Sequence, residues 1–297
     1  MVSVIILNYN GERFISCCLD SVLADDYQPK EILLVDNASN DKSVAMAFEY
    51  QDKITIVQNA ENFGFPKGCN LGIRVARGDI IVLLNVDTEV REGWLTELIK
   101  PMLHDPQVGL TGSKLLFPDS DLIQFAGGTM EPNGLTQHRG YGQLDNGDYD
   151  ESKEVEYLTG ASVAIRRSVF NRLGLLDEGF PLYFEDIDFS NRARQAGYKI
   201  LYQPSSVVYH FETYGTKKNS FKYYYKYHRG RLRFVLKSFG VKYFLSTFAP
   251  YEFDWYKRCG LINQISPLLC AYCTQLPKAP YFWLKGFIRR RLPSTTM

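Results

Sequence analysis

Five apolar residues at positions 80–84 lead directly into Asn85, Val86 and Asp87. A short apolar run that ends in polar residues is typical of a strand buried on both faces, as in a parallel sheet covered by helices. In open α/β sheets, ligands bind just beyond the carboxyl ends of the strands. The sequence therefore predicts a central strand that delivers an amide and a carboxylate to a ligand-binding edge.

Strand and helix patterns alternate through the first hundred residues. The connections are short, and repeated βαβ units of this kind predict a mostly parallel sheet with helices on both faces. From about residue 108 the pattern changes to short strands and glycine-rich turns. The predicted strands of the first part cover residues 2–7, 31–36, 54–59 and 80–85.

Charge divides the chain into an acidic body and a basic tail. Residues 1–216 carry 18 basic and 31 acidic side chains, whereas residues 217–297 carry 16 Lys or Arg and two acids. The tail also holds 19 of the 42 aromatic residues. We therefore predict a main domain over 1–216, with halves at about 1–107 and 108–216, followed by a helical extension over 217–297.

The composition of the tail suits an anionic surface, either a membrane or a nucleic acid. Because no window of the tail has 18 uncharged apolar residues, we expect it to lie on a membrane and not to span one. The acidic charge of residues 1–216, together with the surface-helix composition of the tail, favours a membrane over nucleic acid. The alternative is that residues 281–287 pack back onto the main domain.

The start of the chain and the cysteines indicate a reducing compartment. The segment MVSVIILNYN turns polar quickly and lacks the basic leader of a signal peptide, so we expect a chain that folds in the cytosol. The six cysteines have no framework spacing and are taken as reduced. Cys270 and Cys273 form a lone C-x-x-C. We interpret both as packed residues and not as a zinc or redox site, since no second cysteine pair or histidine lies nearby in the sequence.

Polar residues also follow the second and third predicted strands. Asp36 ends the second strand, where a carboxylate can accept hydrogen bonds from a base or a ribose. Asp36 and Asn37 also fit an Asx turn or a helix cap. Further on, Gly64 and Gly68 allow a backbone to approach a ligand closely, and Lys67 with the helix-start amides favours a phosphate.

Asp87 is the best metal candidate in the sequence. Hard divalent cations bind carboxylate oxygens and keep positions for water and substrate phosphate. Asn85 offers a neutral carbonyl oxygen, or a hydrogen bond to a ribose or phosphate. The alternative reading of both residues is a polar turn that ends a strand.

A second group of candidates lies at 182–210. Glu185, Asp186 and Asp188 precede an amphipathic helix, where acids also complement the helix dipole. The apolar lead-in at 182–184 would desolvate a carboxylate and raise its proton affinity, so one of the three acids could act as a general base. His210 ends another predicted strand. It is either a ligand or a packed, hydrogen-bonded residue.

Six strings in this order and spacing resemble the family 2 glycosyltransferases, which have the GT-A fold. The resemblance covers about residues 2–215, and within the family the chain is similar to the rhamnosyltransferase-like branch, whose members often have Asn at the first position of the D-x-D element. It implies an α/β fold with a Rossmann-like, mostly parallel sheet. The strings are VSVIILNYN, LLVDNASND, NFGFPKGCNLG, LLNVDT, YLTGASVAIRR and YFEDIDFSNRARQAGYKI, followed by VVYH.

The resemblance also implies a role for each matching residue. Asp186 would be the catalytic base, with Glu185 and Asp188 as acceptor contacts or supports. Asp87 and His210 would hold Mg²⁺ or Mn²⁺. The nucleotide-sugar-binding residues would be Asn8, Tyr9, Asn10, Asp36, Asn37, Asn62, Gly68, Asn70 and Asn85.

The implied activity is an inverting, metal-dependent transfer from a dTDP-, UDP- or GDP-sugar, with rhamnose among the candidate sugars. The acceptor would be a hydroxyl of a glycan or lipid-linked glycan in cell-surface polysaccharide synthesis. We expect a cytoplasmic enzyme, peripheral on the inner face of the cytoplasmic membrane. The alternative is a non-catalytic nucleotide-sugar-binding or scaffold protein with the same fold. Because Asn85 removes one negative charge, we expect the metal to bind weakly without nucleotide.

Overall fold

The computed structural model describes residues 1–180, 182–212, 219–258 and 264–291. Twelve strands occur in these ranges: β1 Val2–Asn8, β2 Lys30–Asp36, β3 Thr55–Gln58, β4 Ile80–Asn85, β5 Thr88–Val90, β6 Val108–Leu116, β7 Ile123–Phe125, β8 Gly128–Met130, β9 Thr136–His138, β10 Lys153–Glu154, β11 Ser162–Arg166 and β12 Lys199–His210. The helices of the main domain are α1 Ile15–Ala24, α2 Ser43–Phe48, α3 Phe65–Val75, α4 Trp94–His104, α5 Arg167–Leu173 and α6 Glu185–Gln195.

The described part of the extension is mainly helical. Its helices are α7 Phe221–Ser238, α8 Val241–Tyr243, α9 Ala249–Arg258, α10 Ile265–Gln275 and α11 Ala279–Arg291, with a π-helical turn at Phe244–Phe248 and a 3₁₀ turn at Leu276–Lys278. Within the described ranges, none of these helices combines the length and apolar character needed to cross a bilayer.

Ten strands form one mixed sheet, with the order β3-β2-β1-β4-β11-β6-β12-β10, while β5 and β7 pair with β12 and β6. The first four strands in this order are parallel to one another. β11 then runs antiparallel to both β4 and β6. The predicted α/β fold, with a largely parallel sheet flanked by helices, is confirmed.

β4 lies at the centre of this sheet, as its apolar sequence predicts. It is parallel to β1 on one side and antiparallel to β11 on the other. Residues 80–84 are all at most 6% exposed, because helices cover both faces of the strand. Burying these aliphatic side chains contributes roughly 1.5–3 kcal/mol each.

The chain after β4 turns back at once and pairs with the far end of β12. In the register of β5 with β12, Thr88 lies opposite His210. The Phe211 amide also donates to the Asp87 carbonyl oxygen, with an N–O distance of 2.9 Å. This short antiparallel pairing brings two chain segments together that are more than 120 residues apart.

The turn before α6 has an unusual backbone. Tyr183 and Phe184 have φ angles of 67° and 74°, in the left-handed region that costs residues with a side chain of order 1–3 kcal/mol. Helix α7 lies directly against this turn. A Cβ atom at Gly230 would come within 3.0 Å of both the Tyr183 carbonyl oxygen and the Phe184 ring. A side chain at position 230 would therefore fit tightly against this turn, and the neighbouring atoms would have to move by a few tenths of an ångström.

A buried ion pair lies inside the extension. Arg231 is fully buried, and its guanidinium donates to both carboxylate oxygens of Glu252, at 2.7 and 2.6 Å. Asn133, from the loop between β8 and β9, and Tyr272 also donate to this carboxylate. Burial acts to raise the pKa of Glu252, but the hydrogen bonds from Arg231 outweigh it and hold that pKa below its ordinary value. Removing one partner of such a pair costs about 3–5 kcal/mol.

Candidate active site

The first part of the site lies at the ends of β1 and β2. Asn8 is fully buried, and its amide donates to the Asp36 carboxylate at 2.8 Å and to the Ser43 hydroxyl at 2.9 Å. Asp36 is 2% exposed and also accepts from the backbone and the hydroxyl of Ser39. The two strand ends are thus joined into one rigid polar corner.

Tyr9 and Asn10 form the outer rim of this corner. Tyr9 is 48% exposed, so its ring face is available for stacking on a base. Asn10 has a φ of 53° and accepts from the Asn40 amide, which fixes it to the loop that follows β2. The expected contacts of Tyr9 and Asn10 with a nucleotide stay predictions.

The loop before α3 is organised by Asn37. Its side-chain oxygen accepts from the Asn59 amide at 3.1 Å, and its side-chain nitrogen donates to Asn62 at 3.0 Å. At Gly68, a Cβ atom would lie 2.6 Å from a methyl group of Leu7, so glycine allows α3 to pack on β1. These contacts fix the loop before α3 next to the Asn8–Asp36 corner, and the expected contacts of Asn37, Asn62 and Gly68 with a nucleotide sugar stay predictions.

Asn70 makes contacts within the protein. It is 1% exposed, and its amide group exchanges hydrogen bonds of 3.0 Å with the backbone of Leu176 and donates to Glu178. In this structure Asn70 anchors α3 to the loop before α6. Its expected contact with a nucleotide sugar stays a prediction.

The candidate metal ligands are together at the edge of the sheet. Nε2 of His210 lies 3.4 Å from a carboxylate oxygen of Asp87 and 3.5 Å from the Asn85 side-chain nitrogen. A carboxylate oxygen and an imidazole nitrogen suit Mn²⁺, and carboxylate oxygen suits Mg²⁺. The 3.4 Å between the Asp87 oxygen and the His210 nitrogen also allows both atoms to contact one ion. In the ranges that the structure describes there is no group of three or more His, Cys, Asp or Glu side chains arranged for a metal, so the remaining ligands would come from substrate phosphate and water.

Gln124 belongs to this part of the site and was missed from the sequence. Its side-chain oxygen lies 2.6 Å from Nδ1 of His210, on the opposite side of the ring from Asp87. The signal that could have found it is a polar residue inside the short apolar stretch LIQFA.

Asp186, in the first turn of α6, is the least buried of the three acids. It is partly exposed, and its carboxylate accepts from the backbone amides of Ile187 at 2.8 Å and Gly160 at 3.3 Å. Burial raises the pKa of Asp186, while these amide hydrogen bonds oppose the rise. A carboxylate with raised proton affinity suits general base catalysis.

Glu185 and Asp188 face away from open solvent. Glu185 is 6% exposed, and burial, followed by the charge of Asp186, raises its pKa well above the ordinary value. Asp188 is fully buried and accepts from Arg192 at 2.9 Å and from Lys237 of α7 at 2.6 Å. In this structure Asp188 supports α6, and its position matches the supporting role that the sequence suggested as one option.

One backbone segment joins Asp186 to Asn85, which lies two residues before Asp87. The Gly160 amide donates to Asp186, and the next residue, Ala161, accepts from the Asn85 amide at 3.1 Å. The candidate base and the candidate metal ligands therefore lie at the same edge of the sheet, held by neighbouring residues.

Solved structures with a similar architecture are glycosyltransferases. GalNAc-T7 with UDP, GalNAc and Mn²⁺ has a TM-score of 0.66 at 20% identity, covering 82% of this chain and 48% of that one. The mannosyltransferase PcManGT from Pyrobaculum calidifontis, with GDP-Man and Mn²⁺, has a TM-score of 0.59 at 18% identity, covering 98% and 80%. At these identities the likeness shows the fold, which is that of the GT-A glycosyltransferases.

The sequence comparison defines the family. A family model described as "Glycosyl transferase family 2" matches residues 3–174, more than half of the chain. The protein belongs to glycosyltransferase family 2, and the resemblance to its rhamnosyltransferase-like branch is supported by named relatives.

Three relatives illustrate the range of proteins that this chain resembles in sequence. The uncharacterized protein y4gI of Sinorhizobium fredii is 29% identical, and the O-antigen biosynthesis protein RfbC of Myxococcus xanthus is 28% identical. The matches cover 72% and 71% of this chain but only 24% and 17% of those proteins. The N-acetylglucosaminyl-diphospho-decaprenol L-rhamnosyltransferase of Mycobacterium tuberculosis is 22% identical over 79% of this chain and 84% of its own length.

We predict that Gly230→Ala lowers turnover of sugar nucleotide at least about 10-fold, because overpacking against the left-handed turn shifts Asp186. The variant should also lose about 1–3 kcal/mol of unfolding free energy, the usual cost of overpacking. Activity assays and denaturant melts check this, with Lys222→Ala, an exposed position on the same helix, as the control. A fully active Gly230→Ala enzyme would show that α7 does not position the turn.

Proposed function

We propose that the protein is an inverting, metal-dependent glycosyltransferase that moves a sugar from a nucleotide-diphosphate donor to a hydroxyl of a glycan or lipid-linked glycan in cell-surface polysaccharide synthesis. The observation that carries the proposal is the short backbone link, through residues 160–161, between Asp186 and Asn85, whose side-chain nitrogen lies 3.5 Å from His210. An inverting transfer needs a base on one side of the sugar and an electrophile at the leaving diphosphate.

The donor would bind along the ends of β1, β2 and β4. Tyr9 would stack on the base, and the corner formed by Asn8 and Asp36 would accept hydrogen bonds from the base or the ribose. Asn85 would donate to a ribose or phosphate oxygen. The partly exposed position of Tyr9 and the rigidity of the corner support this orientation.

Asp87 and His210 would hold Mg²⁺ or Mn²⁺. When bound, the cation would neutralise charge that develops on the leaving diphosphate. The protein's own contribution is to present one carboxylate oxygen and one imidazole nitrogen 3.4 Å apart at the strand ends. Two structural neighbours, GalNAc-T7 and PcManGT, were solved with Mn²⁺, which supports the choice of a divalent cation.

Asp186 would take the proton from the acceptor hydroxyl as the new glycosidic bond forms. Its amide contacts hold the carboxylate in place, and its raised pKa strengthens it as a base. Burial, followed by the charge of Asp186, also raises the pKa of Glu185. Asp186 is the more exposed of the two acids, which supports it as the base.

The donor sugar is proposed from relatives alone. The printed name of the mycobacterial relative gives rhamnose as the transferred sugar and a lipid-linked acceptor. Structural neighbours were solved with UDP, GDP-Man or UDP-GlcNAc. We propose a dTDP-, UDP- or GDP-sugar as donor, with rhamnose as one candidate.

We predict that a panel of dTDP-, UDP- and GDP-sugars contains at least one donor that the protein hydrolyses slowly with Mn²⁺ or Mg²⁺. Asp186→Asn should reduce transfer by at least about 100-fold, the usual range for a lost general base, with donor affinity nearly unchanged. Asp52→Asn, at an exposed turn, is the matched control.

The same panel tests the alternative, a non-catalytic nucleotide-sugar-binding or scaffold protein. Binding of a sugar nucleotide without hydrolysis or transfer under any metal condition would favour that alternative. If the Asp186→Asn variant retains turnover, Asp186 is not the base.

We predict that Mn²⁺ binds weakly to donor-free protein and much more tightly when UDP, GDP or dTDP is present. The reason is that Asn85 adds no charge, so the diphosphate must supply a large share of the negative ligands. Calorimetric titrations with and without nucleotide measure the difference, and Asp87→Asn should abolish the nucleotide-dependent part. Tight Mn²⁺ binding to donor-free protein would contradict the explanation.

We also propose that the extension contacts the anionic inner face of the cytoplasmic membrane. Part of α11 packs inward, since Phe282 is 4% exposed and lies in a buried cluster with Leu236. Leu269 of α10, however, is 56% exposed, and Tyr281 and Leu284 of α11 are 55% and 62% exposed beside the exposed Lys285. Residues 292–297 lie outside the described residues.

We predict that the protein floats with phosphatidylglycerol vesicles and is released by high salt, because both apolar insertion and lysine charge contribute. Leu284→Ser should weaken flotation. Leu103→Ser, with a similar exposure of 64% on α4, should not. Retention of RNA on filters without flotation would instead favour nucleic acid as the partner.

A further inference from the structure

We propose that Gln124 is a positioning residue that fixes the tautomer and ring orientation of His210. Gln124 lies on β7, a three-residue strand paired with β6, and it is 4% exposed. Its effect on catalysis rests on the proposed function, whereas its effect on His210 does not.

Gln124 contacts residue 210 at two points. Its side-chain nitrogen donates to the His210 carbonyl oxygen at 3.2 Å, and its side-chain oxygen lies 2.6 Å from Nδ1 of the ring. The contact with the carbonyl oxygen determines which way the amide faces, because a carbonyl oxygen can accept but cannot donate. The oxygen end of the amide must therefore face the ring.

This amide orientation determines the proton position on the imidazole. Since the Gln124 oxygen is an acceptor, Nδ1 must carry the hydrogen. In the neutral ring, Nε2 then has its lone pair free to act as an acceptor or a ligand. That nitrogen is the one that lies 3.4 Å from Asp87 and 3.5 Å from the Asn85 amide.

The other tautomer would be unsuitable for the proposed site. It would direct an N–H group toward a cation shared with Asp87, and it would leave two acceptors facing each other at Gln124. Hydrogen-bond partners behind a ligating histidine typically change metal affinity by about 10–100-fold. Gln124 has the geometry of such a partner.

The tautomer can be measured directly by ¹⁵N NMR of the imidazole groups in the full-length, metal-free protein. The chain has four histidines, and a His210→Asn variant identifies the signal of His210. At alkaline pH, where an imidazole is neutral, we expect the Nδ1–H form in the unmodified protein. Gln124→Met should shift His210 toward the Nε2–H form, whereas Gln124→Glu, which keeps an acceptor oxygen, should retain Nδ1–H.

An Nε2–H form in the unmodified protein, or an unchanged Nδ1–H form in Gln124→Met, would overturn the proposal. Gln137→Met is the matched control, because Gln137 is exposed and bonds to Glu131. It should leave the His210 signal unchanged. Melting curves check that each variant is folded.

Mn²⁺ titration in the presence of UDP, GDP or dTDP provides the second readout. Gln124→Met should weaken the nucleotide-dependent Mn²⁺ affinity by about 10-fold or more, and Gln124→Glu should not weaken it. Unchanged affinity in Gln124→Met would overturn the link to the metal. If the unmodified protein binds no Mn²⁺ with any nucleotide, the proposed function fails, and the NMR result still decides the role of Gln124.

Discussion

The position of β4 between β1 and β11 is the constraint on which the site depends. Parallel pairing on one side places Asn8 and Asp36 at the same edge as Asn85. Antiparallel pairing on the other side brings residues 160–161, and through them Asp186, to that edge. The corner of Asn8 and Asp36, the end of β4 and Asp186 are therefore positioned by the two neighbours of a single buried strand, and the pairing of β5 with β12 adds His210.

The extension is part of the support for this edge. Lys237 of α7 binds Asp177 and Asp188, and the absence of a side chain at Gly230 leaves room for the turn before α6. These contacts fix the start of α6, from which Asp186 projects. The basic side chains of the tail thus form two groups in this structure. Several of those on α7 make internal ion pairs, and the lysines on the later helices are exposed.

Strand ends could be predicted from sequence because apolar runs are local signals. Asn85, Asp87 and His210 each follow such a run, so their meeting at one edge followed from the sheet. Gln124 and Asn70 could not be assigned in this way, since their partners lie 86 and 106 residues away in the chain. For Asp188, the sequence allowed a contact or a support, and only the packing of α7 distinguishes the two. Long-range hydrogen bonds leave no periodic signal.

The left-handed backbone at Tyr183 and Phe184 also has a consequence for synthesis of the protein. Chains fold from the N-terminus as they emerge from the ribosome, and the sheet can form before α7 has been made. The acidic turn then lacks the helix that lies against its strained residues. A nascent chain would therefore complete the corner of Asn8 and Asp36 first, and the candidate base Asp186 would gain its full support last.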